Sequence, residues 1–179
     1  IFLFLPTDSA FIISIIVHSF FGSIGAYFAA RHGLGLSLSA SIVTGLLYLV
    51  FPRMAGYLEA GHFGPFVLFT WLPYLILSSL KLINNPQFRW VILFSISLSG
   101  IFFSFVTMFV VSALLAAGLV ILGWVWTKKR ALKPLLFLGL SAVFTFGLTA
   151  IVLLPQIEWL PQTTRHLLLK NPDVYPKWN

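Results

Sequence analysis

"WVILFSISLSGIFFSFVTMFVVSALLAAGLVILGWVW" fills positions 90–126, from Trp90 at one end to Trp126 at the other, without a charge, a proline or an asparagine. One helix crosses the roughly 30 Å hydrocarbon core of a bilayer with about 20 apolar residues. The stretch is too long for one ordinary crossing, so the chain has to turn inside it. The turn falls at 104–107, where Ser104 and Thr107 can satisfy backbone groups freed by a break. Two spans result, a short one at 88–103 and a longer one at 106–127.

The same count applied to the flanking sequence gives four more spans, at about 9–30, 37–57, 64–83 and 134–157. Short connections join them: "RHGLGLS", "LEAGHFG", "NNPQ" and "TKKRALKP". Composition agrees, with 59% hydrophobic and 8% charged residues and a mean hydropathy of +1.00. A soluble domain is about 25% charged, and a chain of this size does not hide so much apolar surface from water without lipid. The expected fold is an all-α, multi-pass protein of the cell membrane, a bundle of about six transmembrane helices with the lipid bilayer as its first partner. Cysteine is absent, which excludes disulfide and thiolate chemistry. The net charge of +7 is not gathered on a soluble face, so nucleic acid is excluded as a partner.

The bundle occupies 1–157, and 158–179 begins an extracytoplasmic segment. From Pro155 onward the chain turns polar, with four prolines in "PQIEWLPQTTRHLLLKNPDVYPKWN", and "RHLLLKN" reads as a short interfacial helix. The chain opens in a hydrophobic run, "IFLFLP", with no basic stretch ahead of a cleavage site. It reads as a piece of a longer protein.

Charge predicts the orientation. With the end of the first span inside, the inner connections hold Arg31, Lys81, Arg89, Lys128, Lys129, Arg130 and Lys133, seven of the 11 basic residues. All four acids, Asp8, Glu59, Glu158 and Asp173, then lie outside with Arg53, Arg165, Lys170 and Lys177. Basic residues near span ends favour the cytoplasm, so both ends of the chain are expected outside it. Trp90, Trp124 and Trp126 fall at the inner interface and Trp159 at the outer one, while Trp71 packs within the bundle. Gly22, Ala26 and Ala30, four apart, let a neighbouring backbone approach closely, and Ser95 and Ser99 are placed to bond between helices. His18, in mid-span, needs a partner, expected on another helix.

Chemistry concentrates in "FPRMAGYLEAGHFGP" at 51–65. Pro52 should kink or end the second span, leaving a bent helix end and a tight loop that carry Arg53, Glu59 and His62 at the outer edge. Glu59 and His62, three apart, can form an acid or base pair, a metal-ligand pair or a hydrogen-bonded couple. They can equally be the solvated residues any outer loop needs. Arg53 can pair a carboxylate or hold a phosphate, or snorkel to the surface. Arg165 in "PQTTRH" can contact phosphate if its segment folds back over the site. Asp8 suits the first turn of a helix. No phosphate-binding glycine loop, catalytic triad spacing or metal-ligand cluster is present in the sequence.

The order of several features resembles the YfhO-like bacterial membrane proteins of the GT-C superfamily of multi-spanning glycosyltransferases. The features are His18, Gly25 and Tyr27 in one span, a span ending near Pro52, the pair Gly61 and His62, then Trp71, Leu72 and Pro73, and finally Leu154 and Pro155 with Arg165 beyond. The resemblance implies transfer of a sugar from a polyprenyl-phosphate donor to a glycan or lipid acceptor on the extracytoplasmic side. It implies an Asp base in a first outer loop, which in this reading lies ahead of Ile1, since Asp8 is too close to the first span. It further implies a working residue in the second outer loop, here Glu59 and His62. An acceptor hydroxyl would attack the anomeric carbon while a carboxylate takes its proton, and the lipid phosphate would leave. Glu59 would orient acceptor or sugar and His62 would hydrogen-bond phosphate or hydroxyl. Arg53 matches no position of the family. Some GT-C members use a divalent metal and many do not; no cofactor is assigned here.

Two rival readings stand beside this one. In a transporter or channel module, Pro52 and Pro73 would mark discontinuous helices and Glu59 with His62 would line an ion path. In a non-catalytic scaffold related to the glycosyltransferases, the outer loop would only pack.

Overall fold

The computed structural model describes residues 6–127 and 131–162. Arg165 and the interfacial helix expected at 165–171 lie outside the described residues. Every regular element among the described residues is helical. The first is α1 (Thr7–Phe28), extended by a π-helical turn at Ala29–Gly33, followed by α2 (Leu38–Leu49) and α3 (Pro52–Glu59). Then come α4 (Phe63–Asn84), α5 (Phe88–Ser104), α6 (Val106–Trp126) and α7 (Lys133–Trp159), with a 3₁₀ turn at Leu160–Gln162. Five stretches are long and apolar enough to cross a membrane, counting α2 and α3 together; α5 is shorter. At 1.5 Å per residue its 17 residues reach about 25 Å, short of the roughly 30 Å core.

The break inside 90–126 is one residue wide. Phe105 is extended, at φ −159° and ψ 92°, and serves both as the last cap of α5 and the first of α6. The freed groups find partners at once. Phe105 N–H donates to Ile101 O (2.8 Å), Phe105 O accepts from Met108 N–H (3.0 Å), and Ser104 Oγ donates to Gly100 O (2.6 Å). Phe102 and Phe109 meet edge-to-face across the turn, centroids 5.2 Å apart. Thr107, expected to help, makes no side-chain bond there among the described residues.

Pro52 acts as the sequence requires. The second span stops at Leu49, and Pro52 restarts the chain as the first residue of α3, a position where its missing N–H costs nothing. Pro73 behaves differently, because α4 runs through it without interruption. Pro155 likewise sits inside α7, which continues to Trp159, so the polar tail begins later than its first proline.

The bundle is organised around α4, which packs against α1, α3, α5, α6 and α7. Leu68, Leu75 and Leu82 of α4 meet Val91, Phe94, Leu98 and Ile101 of α5, with Ala116 and Val120 of α6. Small residues let aromatic rings seat against neighbouring backbones. The Tyr74 ring lies on Gly25 and its hydroxyl donates to Phe21 O (2.8 Å). Trp71 lies on Gly100, as its place in mid-bundle implies, and Tyr48 donates to Phe69 O (2.6 Å) beside Gly22. Ser95 bonds between helices, donating to Ser141 O of α7 (3.1 Å), whereas the buried Ser99 Oγ has no partner among the described residues. By contrast, Leu114, Leu115 and Leu122 on the outer face of α6 are 69%, 70% and 70% exposed, which suits helices that meet lipid instead of water.

His18 corrects one expectation. Its Nδ1 lies 2.7 Å from Ser14 O and 3.2 Å from Ser14 Oγ, one turn back on its own helix. A helical residue leans toward the preceding turn, so the nearest oxygen of the same helix is within reach before any other helix is. The tie to α4 runs through the His18 carbonyl, which accepts from Thr70 Oγ1 (3.3 Å).

Alternating helix directions sort the charges. Asp8, Glu59 and Glu158 fall at one end of the bundle; Arg31, Lys81, Arg89 and Lys133 fall at the other.

Candidate functional site

The turn between α3 and α4 builds the site at the acidic end. Tyr57, Leu58 and Glu59 are the last three residues of α3, and Ala60 caps it. Gly61 then takes φ +72°, a left-handed conformation that glycine adopts without penalty. Gly61 N–H donates to Leu58 O (3.0 Å) and His62 N–H to Tyr57 O (2.7 Å). This pair of bonds is the Schellman motif, which satisfies carbonyls that a helix end would leave bare. The turn is therefore rigid at the backbone, and it places His62 directly ahead of α4. Gly61 is in the turn, while Gly56 lies inside α3 and Gly64 inside α4.

Glu59 and His62 are both exposed. Among the described residues they share no hydrogen bond or ion pair, so both side chains face the surroundings. Arg53 is in the first turn of α3, nearly two turns before Glu59, and its side chain lies outside the described residues. The structure thus brings Glu59 and His62 to one turn and leaves Arg53 further back on the same helix. Asp8 occupies the first turn of α1, as a helix-dipole role requires.

Below His62 opens a cavity of about 670 Å³. Its walls come from three places: Phe51 and Tyr57 beside α3, Pro65 to Leu72 on α4, and Phe105 to Leu115 on α6. His62, Tyr57 and Ser112 are its polar members; the remainder is aromatic or aliphatic. Phe105, at the break between α5 and α6, is part of its lining. Close contact holds that break against α4: a Cβ added to Gly64 would overlap the backbone oxygen of Ser104.

Reasoning from sequence named Glu59 and His62 and did not name Tyr57, Met108 and Ser112, which line the cavity with His62. The first had a signal, because Gly61 directly after a helix end marks the motif that ties His62 to Tyr57. The other two sit in a stretch apolar on all sides, where no periodicity marks the face that lines a cavity.

Comparison with protein-family models, with curated proteins and with solved structures finds no match for the chain.

Proposed function

We infer that the chain is a module of a GT-C-like membrane glycosyltransferase that takes its sugar from a polyprenyl-phosphate donor. One observation carries the reading: the imidazole of His62 lines an apolar cavity of about 670 Å³, and the same turn carries an exposed carboxylate, Glu59, three residues earlier. An amphiphile with a phosphate head and a branched hydrocarbon tail suits both parts of that site. The tail would lie along Met108, Val111 and Leu115, and the head would rest at His62.

In this reading Glu59 holds the acceptor hydroxyl and takes up proton charge as the oxygen attacks the anomeric carbon. The bond between the anomeric carbon and the phosphate oxygen breaks, and His62 donates a hydrogen bond to the departing phosphate. The acidic end would face away from the cytoplasm, as the basic residues at the opposite end favour. The transporter reading depended on two interrupted helices, and α4 is continuous through Pro73.

Donor class provides the test. Membranes holding the full-length protein are expected to transfer sugar from a polyprenyl-phosphate carrier and not from a nucleotide sugar alone. Met108→Trp should fill the cavity while leaving Glu59 and His62 in place; Met108 is already 41% exposed, so the fold tolerates the larger ring. The expected result is a KM for the lipid donor raised about tenfold, with kcat little changed, as for loss of uniform binding. Equal KM values for parent and variant would remove the tail from this cavity.

A further inference from the structure

The basic end of the bundle holds a second, separate site. A cavity of about 260 Å³ is lined by His32, Lys81, Arg89 and Trp90. Four features converge there. Lys81 Nζ and Arg89 Cζ lie 5.8 and 4.8 Å from the centre of the Trp90 ring, so both cations are held against the same indole. His32 lies in the π-helical turn after α1 and stacks on Phe28 at 5.8 Å. The N-terminus of α5 starts at Phe88 with no side-chain cap, leaving the positive end of a 17-residue helix beside Arg89 and Trp90. Finally, Trp90 Nε1–H is buried without a partner among the described residues, although a buried indole donor normally finds an acceptor.

Among the described residues no acid answers these donors. The described acids, Asp8, Glu59 and Glu158, all belong to the opposite end. Cations gathered without a counter-charge repel one another, and each favours an anion between them. Arg, Lys and an uncapped helix start are the groups that hold phosphate oxygens.

We propose that this cavity binds a phosphate group, supplied by the headgroup of an anionic lipid. Position selects the lipid source. Lys81 is in the last turn of the membrane-length α4 and Arg89 and Trp90 are in the first turn of the apolar α5, helix ends of the kind where amphipathic rings collect, and the neighbouring Phe88 turns an apolar ring outward at 50% exposure. A phosphate at Arg89 would thus have its acyl chains beside Phe88. Basic pockets between membrane helices take anionic headgroups by this chemistry. The site is independent of the sugar-transfer reading and would serve any of the functions considered.

The test is native mass spectrometry of the full-length protein in detergent, titrated separately with phosphatidylglycerol, phosphatidylcholine and inorganic phosphate. Phosphatidylglycerol should be retained in preference to phosphatidylcholine. The double variant K81Q/R89Q should lose roughly 30-fold in phosphatidylglycerol affinity, taking each cation near the surface at its usual strength. Trp90→Phe, which keeps the ring and removes the donor, should lose several-fold with phosphatidylcholine retention unchanged. Equal retention of the two lipids, or an undiminished preference in K81Q/R89Q, would overturn the proposal. Displacement of phosphatidylglycerol by equimolar inorganic phosphate would overturn the lipid source and assign the site to soluble phosphate.

Discussion

Glu59→Gln is expected to lower sugar transfer about 10²-fold at matched expression, within the range for losing one group that moves or holds a proton in the transition state. Glutamine preserves the shape of the side chain and the helix end that carries it. Only the charge goes. Because Glu59 is exposed and makes no bond to His62 among the described residues, nothing in the bundle depends on that charge for stability. His62→Ala should cost about 10²–10³-fold, the usual loss when one donor to a developing anion is removed. Its backbone bond to Tyr57 survives the substitution, so the turn keeps its form. Both variants should unfold at the temperature of the parent. Transfer assays beside thermal unfolding of the same preparations check this: full transfer by both variants would return the turn to solvated structure.

The largest structural effect is expected at Gly64. An added Cβ there meets the carbonyl oxygen of Ser104, which is backbone and cannot rotate away as a side chain would. Gly64→Ala must therefore separate the start of α4 from the end of α5. Overpacking of this kind costs about 1–3 kcal/mol. The strain falls beside the cavity, since Ser104 adjoins Phe105 and Gly64 is two residues from His62, and both of these line it. Loss of stability should be accompanied by weaker binding of the lipid donor. Gly118→Ala supplies the control: nothing lies within 4 Å of its position on α6, and alanine is the better helix former by about 1 kcal/mol. Thermal unfolding should place Gly64→Ala below the parent and Gly118→Ala level with it or above. The reverse order would mean that α4 and α5 do not meet as described.

Much of the architecture was legible because length and apolarity limit what a chain can do in a bilayer. The turn inside 90–126 had to exist, and Ser104 fixed its neighbourhood; the structure narrows it to Phe105. Pro52 was readable as a kink or an end of the second span, since a proline lacks the donor that the middle of a helix needs; that it also starts α3 came from the structure. Pro73 gave the same signal and a different result, because α4 is packed on several sides and continues through it. His18 shows the limit of counting partners by helix, as the nearest acceptor was its own preceding turn.

The site was legible in its polar residues alone. Glu59 and His62 stand out against apolar sequence, and charge is what a reader sees. The cavity is made by residues that look like every other lipid-facing position, and its existence depends on how far α6 swings from α4. Sequence carries no mark of that distance. The basic-end cavity is similar: Arg89 and Lys81 were visible as inner charges, but the unpartnered indole of Trp90 becomes apparent only when its surroundings are in place.

The central claim is that the cavity beneath His62 seats the lipid of the donor, and photocrosslinking tests it without knowledge of the sugar or the acceptor. A polyprenyl phosphate carrying a diazirine in its first isoprene units would be irradiated with the full-length protein in membranes and the adducts mapped by peptide mass spectrometry. The account predicts adducts at 57–72 and 105–115, abolished by excess unlabelled polyprenyl phosphate and reduced by Met108→Trp. Adducts confined to other helices, or unaffected by the competitor, would contradict it.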